Sequence, residues 1–299
     1  MYKYDKLLEQ LEGDLYHGSI NIANLSARII FNYIEERADL HPVDFKSNLL
    51  LLLKKISSVQ PNMALIFNLI VGCLEKFDTK DLTKELKEFL ERYTENIERS
   101  SNLIANNLRN ILPNNCKIGT LSYSFAIKKS LEINQGIISS VYISESYPGG
   151  EGVLFANDIA SIQSEINLFP DILWDKYINE CDLILLGADT ITEKSIINKT
   201  GSSLLTLLAK HQNIPVFILG SIYKLLPHRI YSQKGEKQYP ISELDYEIDP
   251  KIKISFPIFI PVPLSDIKFI VTEEKIFKPE EIENQINKLR KRYNNLTFI

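Results

Sequence analysis

Leu183-Ile-Leu-Leu-Gly-Ala-Asp-Thr-Ile-Thr192, followed shortly by Ile197-Asn-Lys-Thr-Gly-Ser202, decides how this 299-residue chain is read. The apolar run from Leu183 to Leu186 stops at Gly187-Ala188-Asp189. A polar pair, Asn198-Lys199, comes next, and Gly201-Ser202 opens an amphipathic helical stretch. An α/β sheet presents a carboxylate, an ammonium and a helix N-terminus to one small anionic ligand in this way.

Outward from this stretch the same grammar continues. After Pro113-Asn-Asn, short apolar or β-branched runs alternate with helical stretches, the pattern of a mostly parallel sheet with crossover helices. Strands are predicted near Lys117 to Tyr123, Ile137 to Ser144, Leu183 to Leu186, Val216 to Leu219 and Ile267 to Thr272. Helices are predicted over Phe125 to Leu131, Val153 to Ile166, Ser202 to His211 and Pro279 to Tyr293. The polar residues between Pro227 and Pro250 carry no period and read as an irregular excursion.

Before Asn110 the apolar residues recur at helical spacing instead, as in Leu7, Leu8 and Leu11, then Ile22, Leu25, Ile29 and Ile30, then Leu82, Leu86, Phe89 and Leu90. Gly18-Ser19 is a break before the second helix, and Pro61-Asn62 a start before a third long one. The expected fold class is therefore α/β, with a helical domain over 1–112, a boundary around Leu112 to Cys116, and a sheet-bearing domain over 113–299.

Composition narrows the function. With 44% hydrophobic and 24% charged residues and a net charge of -4, the chain reads as a soluble globular protein with no chain-wide surface for a polyanion. Direct nucleic-acid and membrane partners are not expected. The longest apolar window, Met63 to Leu74, is interrupted by Asn68 and falls short of the ~20 residues of a spanning helix. Met1 to Glu9 resembles an amphipathic helix rather than a secretory leader, so a cytoplasmic protein is expected. Cys73, Cys116 and Cys181 are scattered, without disulfide or zinc spacing, and neither a metal nor a cofactor is expected. His17, His41, His211 and His228 show no pairing with a nucleophile.

Candidate site residues follow the strand ends. Ser122 and Ser124, with the amides of the next helix, can hold phosphate oxygens, although N-capping alone accounts for a serine there. Pro148-Gly-Gly-Glu-Gly152 is a glycine-dense turn, able to bring backbone close to a ligand but equally an ordinary βα loop. Asp189 can orient sugar hydroxyls or accept a proton, Lys199 can neutralise a phosphate, and Asn198 can hydrogen-bond a hydroxyl or carbonyl. Taken singly, Asp189 and Lys199 read as a cap and a solvated charge. Their joint placement favours a site.

In order, these segments resemble the family of the alpha, beta and delta regulatory subunits of translation initiation factor 2B, methylthioribose-1-phosphate isomerase and ribose-1,5-bisphosphate isomerase. The likeness is carried by Gln60 to Ile70, Gly187-Ala-Asp189, Asn198-Lys-Thr-Gly201, Ile222-Tyr-Lys224 and Pro261 to Glu274. It implies a Rossmann-like C-terminal domain, and a homodimer or related hetero-oligomer formed largely through that half. It also implies a phosphorylated sugar or nucleoside monophosphate as ligand.

In the isomerase members a cysteine and an aspartate act across an aldose phosphate. Asp189 matches the aspartate, and the cysteine position falls on Ser122. At Glu145-Ser-Tyr-Pro148 the family commonly carries Glu-x-Arg-Pro, and here Tyr147 replaces the phosphate-binding arginine. Gly18 and Ser19, in His17-Gly-Ser-Ile-Asn21, correspond to a phosphate-binding turn of the isomerases, without its arginine, and Lys224 falls in the likeness to the family's Tyr-Lys element after a strand and is counted among the expected ligand-binding residues. A serine is a far poorer proton donor than a thiol, and losing a guanidinium removes a bidentate clamp. A ligand-binding protein without the usual isomerisation is the leading expectation. An isomerase using Asp189, with Ser122, Tyr123 or water filling the missing role, is the alternative, and a structural subunit of a regulatory assembly is the third.

Overall fold

The computed structural model describes residues 2–14, 18–163, 165–231, 237–240 and 247–293. Its first part is helical: α1 (Lys3–Gly13), α2 (Ser19–Glu36), α3 (Pro42–Val59), α4 (Ala64–Leu74) and α5 (Leu82–Arg109). In α5 the buried Leu86, Leu90, Tyr93, Ile97, Ile104 and Leu108 make one apolar stripe at helical spacing. Asp81 caps its start by accepting from the Lys84 amide at 3.2 Å. Pro61-Asn62 precedes α4, the fourth helix in the chain and the most thoroughly buried, so the start signal expected for a third helix belongs one helix later. Pro42 at the first turn of α3 is the start that was not read.

The chain then alternates: β1 (Cys116–Leu121), α6 (Phe125–Ile133), β2 (Ile138–Ser144), α7 (Glu151–Ile159), β3 (Ile166–Phe169), α8 (Trp174–Tyr177), β4 (Leu183–Gly187), β5 (Thr190–Ile191), β6 (Ser195–Lys199), α9 (Ser202–His211), β7 (Val216–Leu219), α10 (His228–Tyr231), β8 (Phe259–Pro263), β9 (Phe269–Val271), β10 (Ile276–Phe277) and α11 (Ile282–Tyr293). Among the described residues the main sheet has the order β10-β9-β7-β4-β1-β2-β3. Every pairing in it is parallel except β10 with β9. A second sheet, β5-β6-β8, is antiparallel.

The expected α/β class, with helices first and a mostly parallel sheet after them, is what the molecule adopts. Several expected bounds change. The helix expected over Val153 to Ile166 ends at Ile159, and Ile166 opens the edge strand β3. Cys116 lies within β1, not before it. A 3-10 turn at Pro279–Glu281 precedes the last helix. Of the excursion between Pro227 and Pro250, residues 232–236 and 241–246 lie outside the described residues.

Apolar side chains on the two faces of the sheet form two cores, and α1 to α5 enclose a third. A smaller cluster joins the parts: Ala64, Phe67 and Val71 of α4 pack with Leu226 and Tyr293. Within that junction the Asn68 amide donates to the carbonyls of Tyr223 at 2.7 Å and Leu225 at 3.1 Å, and Tyr293 Oη donates to Asn68 Oδ1. No described helix is long and apolar enough to cross a membrane.

Candidate functional site

From β1 the chain runs outward to β2 and β3 on one side of the sheet, then returns to β4 beside β1 and continues to β7 and β9 on the other. This reversal leaves a crevice at the carboxyl ends of β1 and β4, where open α/β sheets bind ligands. Ser122 to Ser124 follow β1 there, and Gly187 to Asp189 end β4. A Cβ on Gly187 would lie 2.9 Å from Ser124 Oγ, so only glycine lets the two strand ends come this close. Ser124 caps α6, accepting from the Ile127 amide at 3.4 Å. Ser122 has a φ of 61° and its amide donates to Ser146 Oγ at 2.6 Å.

The helical part supplies the facing wall. Gly18 to Asn21, the start of α2, and Ser122 to Ala126, the start of α6, border the same pocket. Two helix N-termini, each with amides unused inside its helix and a partial positive charge, therefore meet there. Ser19 lies close enough to the Asp189 carboxylate to favour its charged form. The start of α4 fixes the Asp189 backbone: the Ala64 amide donates to the Asp189 carbonyl at 3.1 Å and to Thr190 Oγ1 at 2.9 Å, and Thr190 Oγ1 donates to the Asn62 carbonyl at 2.8 Å. The Pro61-Asn62 segment and Gly187-Ala-Asp189 are thus one structural unit.

Lys224 lines the same pocket beside Asp189. Its Nζ donates to the Ala188 carbonyl at 2.5 Å. Burial drives the Lys224 ammonium below the ordinary lysine range, against the opposing pull of Asp189 and Glu273. Burial likewise raises the Asp189 carboxyl above the usual carboxylate range, with Lys224, Ser19 and Lys199 opposing it. A carboxyl so poised can hold a hydroxyl or exchange a proton. Behind them Glu273, after β9, accepts from Ser221 Oγ at 2.5 Å and from the Ile222 amide at 3.0 Å, which fixes the turn that carries Lys224.

Asn198 and Lys199 sit not in a loop but in β6, where the second sheet turns them to the pocket. The Asn198 amide donates to Ser202 Oγ at 2.9 Å, and Ser202 Oγ to the Lys199 carbonyl at 2.7 Å. Lys199 is not the open cation expected. Its Nζ lies 2.5 Å from Glu151 Oε1 and donates to Tyr239 Oη, which itself donates to Glu151 Oε1 at 2.8 Å. The ammonium also lies 4.5 Å from the centre of the Tyr239 ring. Burial lowers the Lys199 pKa, and Glu151 opposes that shift.

The structure therefore brings together Gly18, Ser19, Ser122, Ser124, Asp189, Asn198, Lys199 and Lys224. It does not bring Glu145 or Tyr147 to the pocket wall. The Tyr147 ring is 41% exposed, and the amides of Ser146 and Tyr147 are held by Asp171 at 3.0 and 2.7 Å. His17 lies outside the described residues. Glu151 and Tyr239 are the residues that sequence reasoning missed. The glycine-dense turn was read for its backbone, and Tyr239 stands in an aperiodic stretch with no local signal.

No thiol reaches this chemistry. Cys73, Cys116 and Cys181 are buried, none lines the pocket, and burial pushes the Cys116 and Cys181 thiols up to about 12. Cys116 begins β1 and Ser122 follows its end, so they lie at opposite ends of that strand.

Comparison with known proteins agrees with this architecture. Residues 15–279 match the model of the initiation factor 2 subunit family, and the chain belongs to that family. Ribose 1,5-bisphosphate isomerase of Methanocaldococcus jannaschii is 24% identical over 285 residues, which span 91% of this chain and 90% of that protein. The fold is shared with translation initiation factor eIF-2B of Pyrococcus horikoshii OT3, at a TM-score of 0.79 and 20% identity over 93% of this chain and 97% of that one. It is also shared with 5-methylthioribose 1-phosphate isomerase from the same organism, at a TM-score of 0.74 and 16% identity over 97% of this chain and 88% of that one.

Proposed function

We propose that this member of the initiation factor 2 subunit family binds a phosphorylated sugar or nucleoside monophosphate in the crevice beside Asp189, without the aldose–ketose isomerisation of its enzymatic relatives. The phosphate lies against the amides at the starts of α2 and α6, where two helix dipoles favour an anion. The sugar faces Asp189, whose carboxylate takes its hydroxyls, with Asn198 beside it. The helical domain, residues 1–112, contributes Gly18 and Ser19, and the Rossmann-like domain, residues 113–299, contributes the rest.

One observation carries the reading: the start of α2, the start of α6, Asp189 and Lys224 line one pocket at the sheet's switch point. The absence of a thiol from that pocket, with Ser122 at the position of the family cysteine, argues against the usual acid–base pair. A hydroxyl far above neutral pH cannot share a proton with Asp189 as a thiol does. Titration calorimetry of the folded protein with ribose 5-phosphate, ribose 1-phosphate and AMP tests this. Binding of at least one, weakened at least about tenfold in Asp189→Asn, is expected, and no binding by any of them removes the ligand.

A second reading is supported by the raised Asp189 carboxyl beside a buried Lys224. In it Asp189 shuttles a proton between adjacent sugar carbons. Exchange of solvent hydrogen into a bound aldose phosphate, lost in Asp189→Asn, would promote this reading over simple binding. The assembly implied by the resemblance, a homodimer or a related hetero-oligomer, belongs to the same proposal. The exposed Leu204 and Leu207 of α9 support it, and sedimentation velocity of the purified chain tests it.

A further inference from the structure

The same pocket wall carries, at Lys199 and Glu151, charge that the ligand reading above leaves unused. Lys199 and Glu151 face each other there with their side chains 3% and 5% exposed, so the ion pair is almost wholly removed from water. One carboxylate oxygen, Glu151 Oε1, accepts from both Lys199 and Tyr239. The other, Oε2, is buried and has no hydrogen-bond partner among the described residues. Glu151 itself is part of the pocket wall, together with Lys199 and Asp189.

An ionised oxygen without a donor is costly inside a protein, and a ligand that brings a donor to it is favoured. A phosphate brought to the same place meets a carboxylate already bonded to the Lys199 ammonium, and sets like charges together. Asp189, the other carboxylate of the wall, adds to that repulsion.

We infer that Glu151 makes its part of the pocket wall a subsite for a neutral or cationic hydrogen-bond donor, a hydroxyl or amino group, and so restricts the ligand to one phosphate. The inference rests on the ligand reading proposed above and sharpens its substrate class. Monophosphorylated sugars and nucleoside monophosphates satisfy both sets of groups, with phosphate on the helix starts and a hydroxyl or amine on Glu151. A second phosphate, on a sugar bisphosphate, finds the Glu151 carboxylate unfavourable. Glu151 thus acts as a specificity residue, and Tyr239 as a positioning residue that holds Glu151 Oε1 and the Lys199 ammonium in register.

The test is equilibrium binding of ribose 1-phosphate, ribose 5-phosphate, AMP and ribose 1,5-bisphosphate to the full chain. The better of the monophosphates should bind the wild-type protein at least about tenfold more tightly than the bisphosphate. In Glu151→Gln, which frees Lys199 for an anion, the ratio should fall to within about threefold or reverse. Glu151→Gln leaves a buried ammonium unpaired and can cost the fold, so the Glu151→Gln/Lys199→Gln double variant is measured beside it. Without the carboxylate it should also discriminate by no more than about threefold. Bisphosphate binding as tight as monophosphate binding in the wild type overturns the inference, as does tenfold discrimination persisting in either variant. Failure of every sugar phosphate and of AMP to bind overturns the ligand reading itself, a result distinct from equal binding.

Discussion

Asp189 shows how one side chain comes to be poised by residues far away in the chain. Ser19 reaches it from α2, Lys224 from the turn after β7, and the amide of Ala64 holds its carbonyl from a position 125 residues earlier. Buried lysines shift the other way, as Lys199 and Lys224 of the pocket and Lys237 outside its lining show. Burial pushes Lys237, whose Nζ donates to the Asp14 carbonyl at 2.7 Å, down to about 8 from the ordinary 10.5. Its folded pKa is the lower one. Between about pH 8 and 10.5 the unfolded chain therefore holds more protons than the native one, and stability rises with pH. The contribution is lost again as pH falls through 8. Urea unfolding of wild type and Lys237→Met should show the wild type gaining on the variant between pH 8 and 10. A constant difference would place the Lys237 ammonium in water.

Much of the candidate pocket's lining was legible, because Asp189, Asn198 and Lys199 follow apolar runs and strand ends are where ligands collect. Lys199 was misjudged for a reason the local sequence does not contain. Its partner Glu151 stands 48 residues before it, and Tyr239 stands 40 residues after it. A tertiary ion pair leaves no trace in spacing. Tyr147 and Glu145 lay beside a strand end but belong to a turn that Asp171 pulls outward.

Among the elements, the junction between β2 and α7 is the least forgiving. Gly152 follows the first residue of α7, and a Cβ there would stand 1.8 Å from the Ser144 carbonyl oxygen, which is backbone and cannot step aside. Gly152→Ala should cost about 3 kcal/mol, read from the denaturation midpoint. Gly136→Ala, whose Cβ meets nothing within 4 Å, should stay within about 0.5 kcal/mol of wild type. Equal effects of the two would mean that α7 does not sit this close to β2. The parallel strands were readable as apolar runs because both faces of the sheet are covered. The missed strands β3, β5, β6, β8 and β10 are two to five residues long, and β6 and β8 carry Asn198, Lys199, Pro261 and Pro263, which disguise them. The helix expected to run through Ile166 fails because Gly152 to Ile159 already completes α7, and the next apolar residues serve the sheet edge.

Across the whole molecule, the pocket exists only while the helices and the sheet stay joined, since Gly18 and Ser19 lie on one side and Asp189 on the other. Asn68 is a principal tie, with hydrogen bonds to Tyr223, Leu225 and Tyr293 inside the apolar junction of α4. Asn68→Ala removes all three and should cost about 2–3 kcal/mol, measured by chemical unfolding, with ligand affinity falling alongside. Loss of stability with unchanged affinity would separate the junction from the pocket. The helical first part and parallel second part were readable from the change of period near Pro113. Their docking was not, because a buried Asn in an apolar helix looks only like an interruption.

The crystal structure of the protein with a pentose monophosphate bound tests the central claim most directly. Phosphate density against the amides that start α2 and α6, with a sugar hydroxyl within hydrogen-bond reach of Asp189, is the predicted result. A phosphate seated on Lys199, or a ligand bound outside the crevice between β1 and β4, would contradict it.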